Sequence, residues 1–197
     1  MEEIITKQEF EELMKLKGET RGVGFQTEAK FILKEEGEEG LKKLENEMTR
    51  LGFPYDKIKT MEFYPMGLLA VALVVIQRLF NYDENKFQEM GKFESKSSLI
   101  IRLFMKYFAS LERVAKESEK MWRNYYTVGN LKVTELDKDK KYVIVRIENF
   151  SLHPILCQVL IGYYVSIVKM VVKSEVTCQE VKCVHKGDEY HEFLLKW

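Results

Sequence analysis

Apolar residues in the first half of the chain recur at helical spacing. Thr6 to Lys17 places Phe10, Leu13, Met14 and Leu16 three or four apart. Glu38 to Leu51 puts Leu41, Leu44, Met48 and Leu51 on one face, with Gly52 behind them as a stop signal. Between these two, Thr27 is placed to cap a helix running to about Lys34, and Gly22-Val23-Gly24-Phe25 before it reads as extended or turn. Met66 to Ile76 is apolar on every side, which predicts a central helix with Pro65 at its first position. From Ser97 to Tyr126, apolar residues return at 99, 103, 107, 111, 114, 121 and 125, with Ser118 in the same register. That pattern predicts one long amphipathic helix, or two in succession.

The period changes in the second half. Leu131 to Leu136 and Tyr142 to Glu148 alternate as strands around the turn Asp137-Lys138-Asp139-Lys140, with Val143, Val145 and Ile147 on one face. Ile155 to Lys173 returns to helix. Its polar positions, Gln158, Ser166, Lys169 and Lys173 with Gly162 among them, define one narrow stripe that is expected to face water. Glu175 to Val184 and Tyr190 to Lys196 form a second hairpin around residues 185–189. The order helices, hairpin, helix, hairpin predicts an α+β fold: an antiparallel sheet of about four strands, built from two hairpins and covered by helices, with a helical N-terminal half. We read residues 1–197 as one domain, with 1–60 a helical region that could dimerise and 61–197 the core.

Composition narrows the function classes. Hydrophobic residues make up 46% of 197, enough for a core, and 31 basic residues balance 31 acidic ones. A neutral chain has no global field for nucleic acid or an anionic membrane. Three cysteines are too few for a disulfide scaffold. The acidic start Met1-Glu2-Glu3-Ile4-Ile5 lacks the features of a signal peptide. The longest apolar run, Met66 to Ile76, is well short of the ~20 residues that span a bilayer. The expectation is a cytoplasmic protein that binds neither nucleic acid nor membrane. There is no phosphate-binding glycine loop, no nucleophile elbow and no metalloprotease helix. A Cys183–His191 nucleophile pair would lack an orienting group, so a binding domain is expected rather than an enzyme.

The candidate chemistry lies near the C-terminus, in Cys157, Glu180, Cys183 and His191. Thiolate, imidazole and carboxylate are ligands that zinc accepts, and four of them close a tetrahedral structural site. With a loop at 185–189, Cys183 faces His191 across the hairpin, and Val181, Phe193 and Leu195 share their face. In a regular strand, however, Glu180 and Cys178 point the other way, so a bulge between Glu180 and Cys183, or a shift to irregular backbone, is required. Each residue also has a plain reading. Cys157, among Ile155, Leu156, Leu160 and Ile161, would pack as a small hydrophobe, and His191 would be a hydrogen-bonded core histidine.

This tail resembles the 4-vinyl reductase domain family, which is related in fold to heme–nitric-oxide-binding domains and to small transport-particle subunits. The matching residues are Glu180 and Cys183 as Glu-x-x-Cys, the turn Lys186-Gly187-Asp188, then His191-Glu192-Phe193 and Leu194-Leu195. His191 stands where the family usually has Cys. Cys157, at 180 − 157 = 23 residues before Glu180, stands where a further upstream ligand is expected. The resemblance implies a structural zinc on Cys157, Glu180, Cys183 and His191, ahead of haem as the cofactor. It also implies an apolar pocket for a small hydrophobic or aromatic ligand, as in the sensor domains of phenol-responsive activators, with Phe104, Trp122, Tyr126 and Tyr163 as wall candidates. A homodimer through the N-terminal helices is implied as well. The alternatives are a tetrapyrrole- or haem-binding protein or reductase-related enzyme, and a scaffold or interaction subunit. His153, before Pro154, is read as a helix-start residue, although a haem reading would make it a candidate axial ligand.

Overall fold

The computed structural model describes residues 3–97 and 110–197. Among these, six α-helices accompany two antiparallel sheets, as the α+β reading expects. The helices are α1 (Lys7–Met14), α2 (Val23–Arg50), α3 (Met66–Phe80), α4 (Glu84–Ser97), α5 (Leu111–Tyr125) and α6 (Pro154–Val172). The strands are β1 (Glu19–Arg21), β2 (Phe63–Pro65), β3 (Asn130–Asp137), β4 (Tyr142–Glu148), β5 (Thr177–Lys182) and β6 (His191–Lys196). β1 and β2 pair with each other, and the four-stranded sheet runs β3-β4-β6-β5. The two expected hairpins, β3-β4 and β5-β6, are therefore joined into one sheet by pairing of β4 with β6.

Local chemistry sets most boundaries. The Thr6 hydroxyl accepts the Glu9 N–H at 3.2 Å and starts α1. The two helices read around Thr27 and Glu38 are both present within α2, separated at Gly37, whose φ of 73° and ψ of −172° break the helical run. Thr27 does not cap that element; its hydroxyl donates back to the Val23 carbonyl at 2.8 Å. Pro65 precedes α3 as its cap residue and does not occupy the first turn. Every residue of α3 from Met66 to Ile76 is buried, so the all-round apolar run is the central helix. The expected Ser97–Tyr126 element is described as α5 from Leu111 onward; residues 98–109, Phe104 included, lie outside the described residues.

One expectation about α6 is overturned. Its stripe of Gln158, Gly162 and Ser166 does not meet water but lies against α4. The Gln88 amide donates to the Gln158 side chain at 2.9 Å. The buried hydroxyls of Ser95 and Ser166 are 2.6 Å apart. Between these pairs the helices touch backbone to backbone: a methyl at Gly91 would fall on the Val159 carbonyl, and one at Gly162 on the Gln88 carbonyl. Small and mutually hydrogen-bonded residues are what such an approach requires, and helical periodicity does not distinguish that need from solvation. Only Lys169 and Lys173, toward the end of the helix, are left for solvent. By length and composition α6 could also cross a bilayer. Its nine buried residues and its seat against α4 account for the same composition as a core helix.

The crossing makes a stability prediction. Gly162→Ala should force the two backbones apart and cost roughly 1–3 kcal/mol or more. At this chain length that is a fall in Tm of about 2–12 °C. Calorimetry showing an unchanged Tm would mean that α4 and α6 do not touch in this way.

Candidate ligand cavity and metal-ligand cluster

Two places gather chemistry. The first is a cavity of about 190 Å³ between the start of α2, α4, α5, β3–β4 and α6. The amphipathic stripe of α5 explains it: Leu111, Val114, Ser118, Met121 and Tyr125 all line the space. Of the stripe only Leu111 is buried, because the others border a hollow and not a filled core. Trp122, Tyr126 and Tyr163, three of the four expected wall residues, line it too; Phe104 lies outside the described residues. The Trp122 indole N–H donates to the Val128 carbonyl at 2.9 Å, and its ring stands 4.3 Å from that of Tyr126 and edge-on to Phe150. The aromatic wall is thus fixed in place.

The cavity has polar features that periodicity did not flag. Glu94 on α4 lines it. Burial pushes the Glu94 carboxyl well above the usual carboxylate range, and the nearby Glu28 carboxyl pushes it further. Glu28 is buried and accepts the Tyr55 hydroxyl at 2.7 Å. Burial raises Glu28 to about 7, against the lowering effect of that hydrogen bond. Among the described residues the buried Tyr164 hydroxyl has no hydrogen-bond partner, and Tyr164 is a cavity-lining residue. Only the position of α4 against α2 and α6 shows that Glu94 faces inward, since α4 as a whole reads as a polar helix.

The second place is the cluster Cys157, Glu180, Cys183 and His191. One ligand atom from each lies within 4.8 Å of all the others. Cys157 Sγ is 3.9 Å from Cys183 Sγ and 3.8 Å from His191 Nδ1. The sulfur–sulfur edge of a tetrahedral site with metal–sulfur bonds of ~2.3 Å is about 3.8 Å. His191 Nδ1 stands 2.9 Å from the Glu180 carboxylate, a hydrogen-bond length. The required bulge is present. The β5–β6 register shifts between Glu180, which faces Phe193, and Lys182, which faces Glu192. The inserted Val181 is turned out to solvent, which corrects its expected place on the inner face beside Phe193 and Leu195. The same shift brings Glu180 and Cys183 to one side. Cys183 leaves the strand for a one-turn 3-10 helix, Val184–Lys186. The Lys186-Gly187-Asp188 turn holds it there: Gly187 takes φ 97° and the Asp188 carboxylate accepts the Cys183 N–H at 2.8 Å. Cys157 arrives from the first turn of α6. Cys178 is not part of the cluster.

Electrostatics suit a ligand set held in an apolar seat. Burial raises the Cys157 and Cys183 thiols, with Glu180 adding to both. Burial would also raise Glu180, but hydrogen bonds from His191, Cys157 and Cys183 outweigh it and lower the carboxyl. His153 is the cap of α6; its Nδ1 accepts the Ile155 N–H at 3.3 Å, the helix-start role read from sequence.

No protein-family model matches the chain, and no curated protein matches it. The 4-vinyl reductase resemblance therefore rests on the C-terminal residues themselves. Solved structures do share the fold. An H-NOX protein from S. oneidensis in the Fe(II)NO state superposes with a TM-score of 0.67 at 13% identity, covering 89% of this chain and 98% of its own. An oxygen-binding H-NOX domain related to soluble guanylate cyclases gives 0.63 at 13%, covering 89% and 94%. A structure from work on haem distortion in the H-NOX family gives 0.65 at 13%, covering 90% and 94%. The expected kinship in fold with heme–nitric-oxide-binding domains is thereby established. The cofactor expectation is corrected: the proteins that share this fold are haem domains, which points to haem rather than zinc, and zinc is not carried forward.

Glu28 gives a pH prediction. Its ordinary value is 4.5 and its folded value about 7. Between those values the unfolded chain releases the proton that the folded chain keeps, so stability is lost as pH rises from about 4.5 to 7. The loss is on the order of 3 kcal/mol. Denaturant midpoints measured from pH 4.5 to 8 should fall for the wild type and fall much less for Glu28→Gln. Parallel profiles for the two proteins would show that Glu28 is not held protonated.

Proposed function

We propose that this chain is a small-molecule-binding domain of sensor type, whose cavity takes a small hydrophobic or aromatic molecule directly. The observation that carries this reading is the cavity itself, about 190 Å³ with a wall that is mostly aliphatic and aromatic. Such a space suits a single ring: an apolar cavity of ~150 Å³ takes benzene. Among the described residues neither site presents a nucleophile, its base and an oxyanion donor together, the minimum for acyl or phosphoryl transfer, so binding is the reading favoured over catalysis.

Haem is the second reading, and the fold favours it, since the H-NOX domains it resembles carry haem and bind NO or oxygen. The side chains do not fit that cofactor. Small-molecule pockets span roughly 300–1,000 Å³, and a porphyrin needs far more room than the about 190 Å³ present here. All three histidines, His153, His185 and His191, stand away from the cavity, and no cysteine lines it. Residues 98–109 contain neither residue type. We derive no step through haem.

Toluene titrated into the protein should shift the emission of Trp122 and raise Tm. Val114→Trp, which projects a larger ring into the space, should weaken that binding about tenfold or more. No response to toluene would sink the cavity reading. Haemin added at one equivalent should produce no sharp Soret band; a stoichiometric band would establish the haem reading in its place.

For the cluster we propose a metal-bridged tie between α6 and the β5–β6 hairpin, with Cys157, Glu180, Cys183 and His191 as ligands. The close approach of four ligand atoms supports it. Elemental analysis of protein never exposed to chelator should find about one metal ion per chain and identify the element. Cys183→Ser should remove the ion and lower Tm markedly, because binding energy at such a site is folding energy. Absence of any stoichiometric metal would reduce the cluster to a hydrogen-bonded core.

A further inference from the structure

Among the described lining residues, Glu94 is the one carboxyl. Among the described residues Glu94 has no ion pair or hydrogen-bond partner, and it lines a space otherwise bounded mainly by hydrocarbon and aromatic rings. A second carboxyl, Glu28, lies close enough to oppose its ionisation, and Glu28 is already occupied by the Tyr55 hydroxyl. Glu94 is half-buried, and a carboxyl set against hydrocarbon without a partner is costly. A protein selected only to hold a hydrocarbon has no use for it there.

The other titratable groups at the wall do not relieve it. From β1 comes Arg21, the basic side chain among the described lining residues. Its Nε donates to the Asn124 carbonyl and another guanidinium nitrogen to the Met61 carbonyl at 2.6 Å, while its plane covers the Phe63 ring at 4.4 Å. It is committed away from Glu94. From α5 and α6 come tyrosines. Burial raises the Tyr126, Tyr163 and Tyr164 hydroxyls, so they stay neutral. The neighbouring hydroxyls are already spoken for: Ser118 donates to the Ala115 carbonyl and Thr27 to that of Val23.

The site therefore offers a carboxyl for a cation and the rings of Trp122, Tyr126 and Tyr163. Aromatic faces attract a desolvated ammonium through the ring quadrupole. A bound carboxylate would instead meet Glu94 as a like charge. We propose that the cavity selects small aromatic or aliphatic amines, with Glu94 as the counter-ion of the protonated nitrogen and the apolar wall holding the hydrocarbon part. This rests on the reading of the cavity as a direct small-molecule site and names its ligand class. Binding couples to ionisation: the acid gives its proton to the amine nitrogen, or pairs with an amine that is already protonated and releases its own proton to water.

The test uses four probes of nearly one shape, benzylamine, benzyl alcohol, toluene and benzoate, read by Trp122 emission in a Trp197→Phe background. Benzylamine should bind about tenfold or more tighter than benzyl alcohol and toluene, with benzoate weakest. Glu94→Gln should remove that preference and leave toluene binding within about threefold. Equal binding of benzylamine and benzyl alcohol to the wild type overturns the proposal without any variant, so a poorly folded Glu94→Gln does not shelter it. A preference that survives in Glu94→Gln overturns it as well. If toluene binds without any amine preference, only this inference falls. If none of the four binds, the cavity reading falls with it.

Discussion

The contact of α4 with α6 is the constraint on which the rest of the structure depends. The two backbones meet at Gly91 and Gly162, flanked by the Gln88–Gln158 and Ser95–Ser166 pairs. No larger side chain is tolerated there without separation of the helices. The approach fixes two parts of α6 at once. One end places Cys157 over the β5–β6 hairpin, and the middle presents Leu160, Tyr163 and Tyr164 to the cavity. It also fixes Glu94, which stands one turn beyond Gly91. A shift of that contact would disturb the cluster and the cavity together.

The cluster depends in addition on a one-residue irregularity. A regular β5 would send Glu180 and Cys183 to opposite faces of the sheet, because strand side chains alternate. The bulge turns Val181 outward and restores both residues to the inner side. Bulges are a common device for re-aiming a side chain beside a functional site. The turn that follows is equally specific. Gly187 supplies a left-handed conformation and Asp188 ties the Cys183 amide, so the thiol is presented from a rigid loop.

The fold and the cavity point in different directions. The path of the chain is that of haem-binding H-NOX domains, yet the walls here carry a carboxyl, several tyrosines and no imidazole. Fold constrains where a pocket forms, between the helices and the sheet, while the residues that line it decide what enters. Among the described residues the wall is mainly apolar with one carboxyl that has no partner, which suits the small molecule with a polar end proposed above. It is a poor seat for a large planar dianion that needs an axial base.

The α+β class, both hairpins, the central helix and the amphipathic stripe of α5 were legible in the sequence, because burial of apolar residues at period 3.6 or 2 is a local pattern. The four members of the C-terminal cluster were legible too, since cysteine and histidine are rare in this chain and Glu180 stands at a fixed spacing from Cys183. The need for a bulge followed from strand alternation alone. Its position, and the outward turn of Val181, did not, because a bulge is set by the competing demands of two paired strands. The stripe on α6 was visible but its meaning was not: polar residues that satisfy one another across a helix crossing look the same in sequence as polar residues that meet water. Glu94 gave no signal, since one carboxylate on a polar helix is indistinguishable from its exposed neighbours until packing turns it inward. Whether the stripe of α5 faces a filled core or a cavity was likewise decided only in three dimensions, by the separation that the rigid α4–α6 contact imposes on the elements around it.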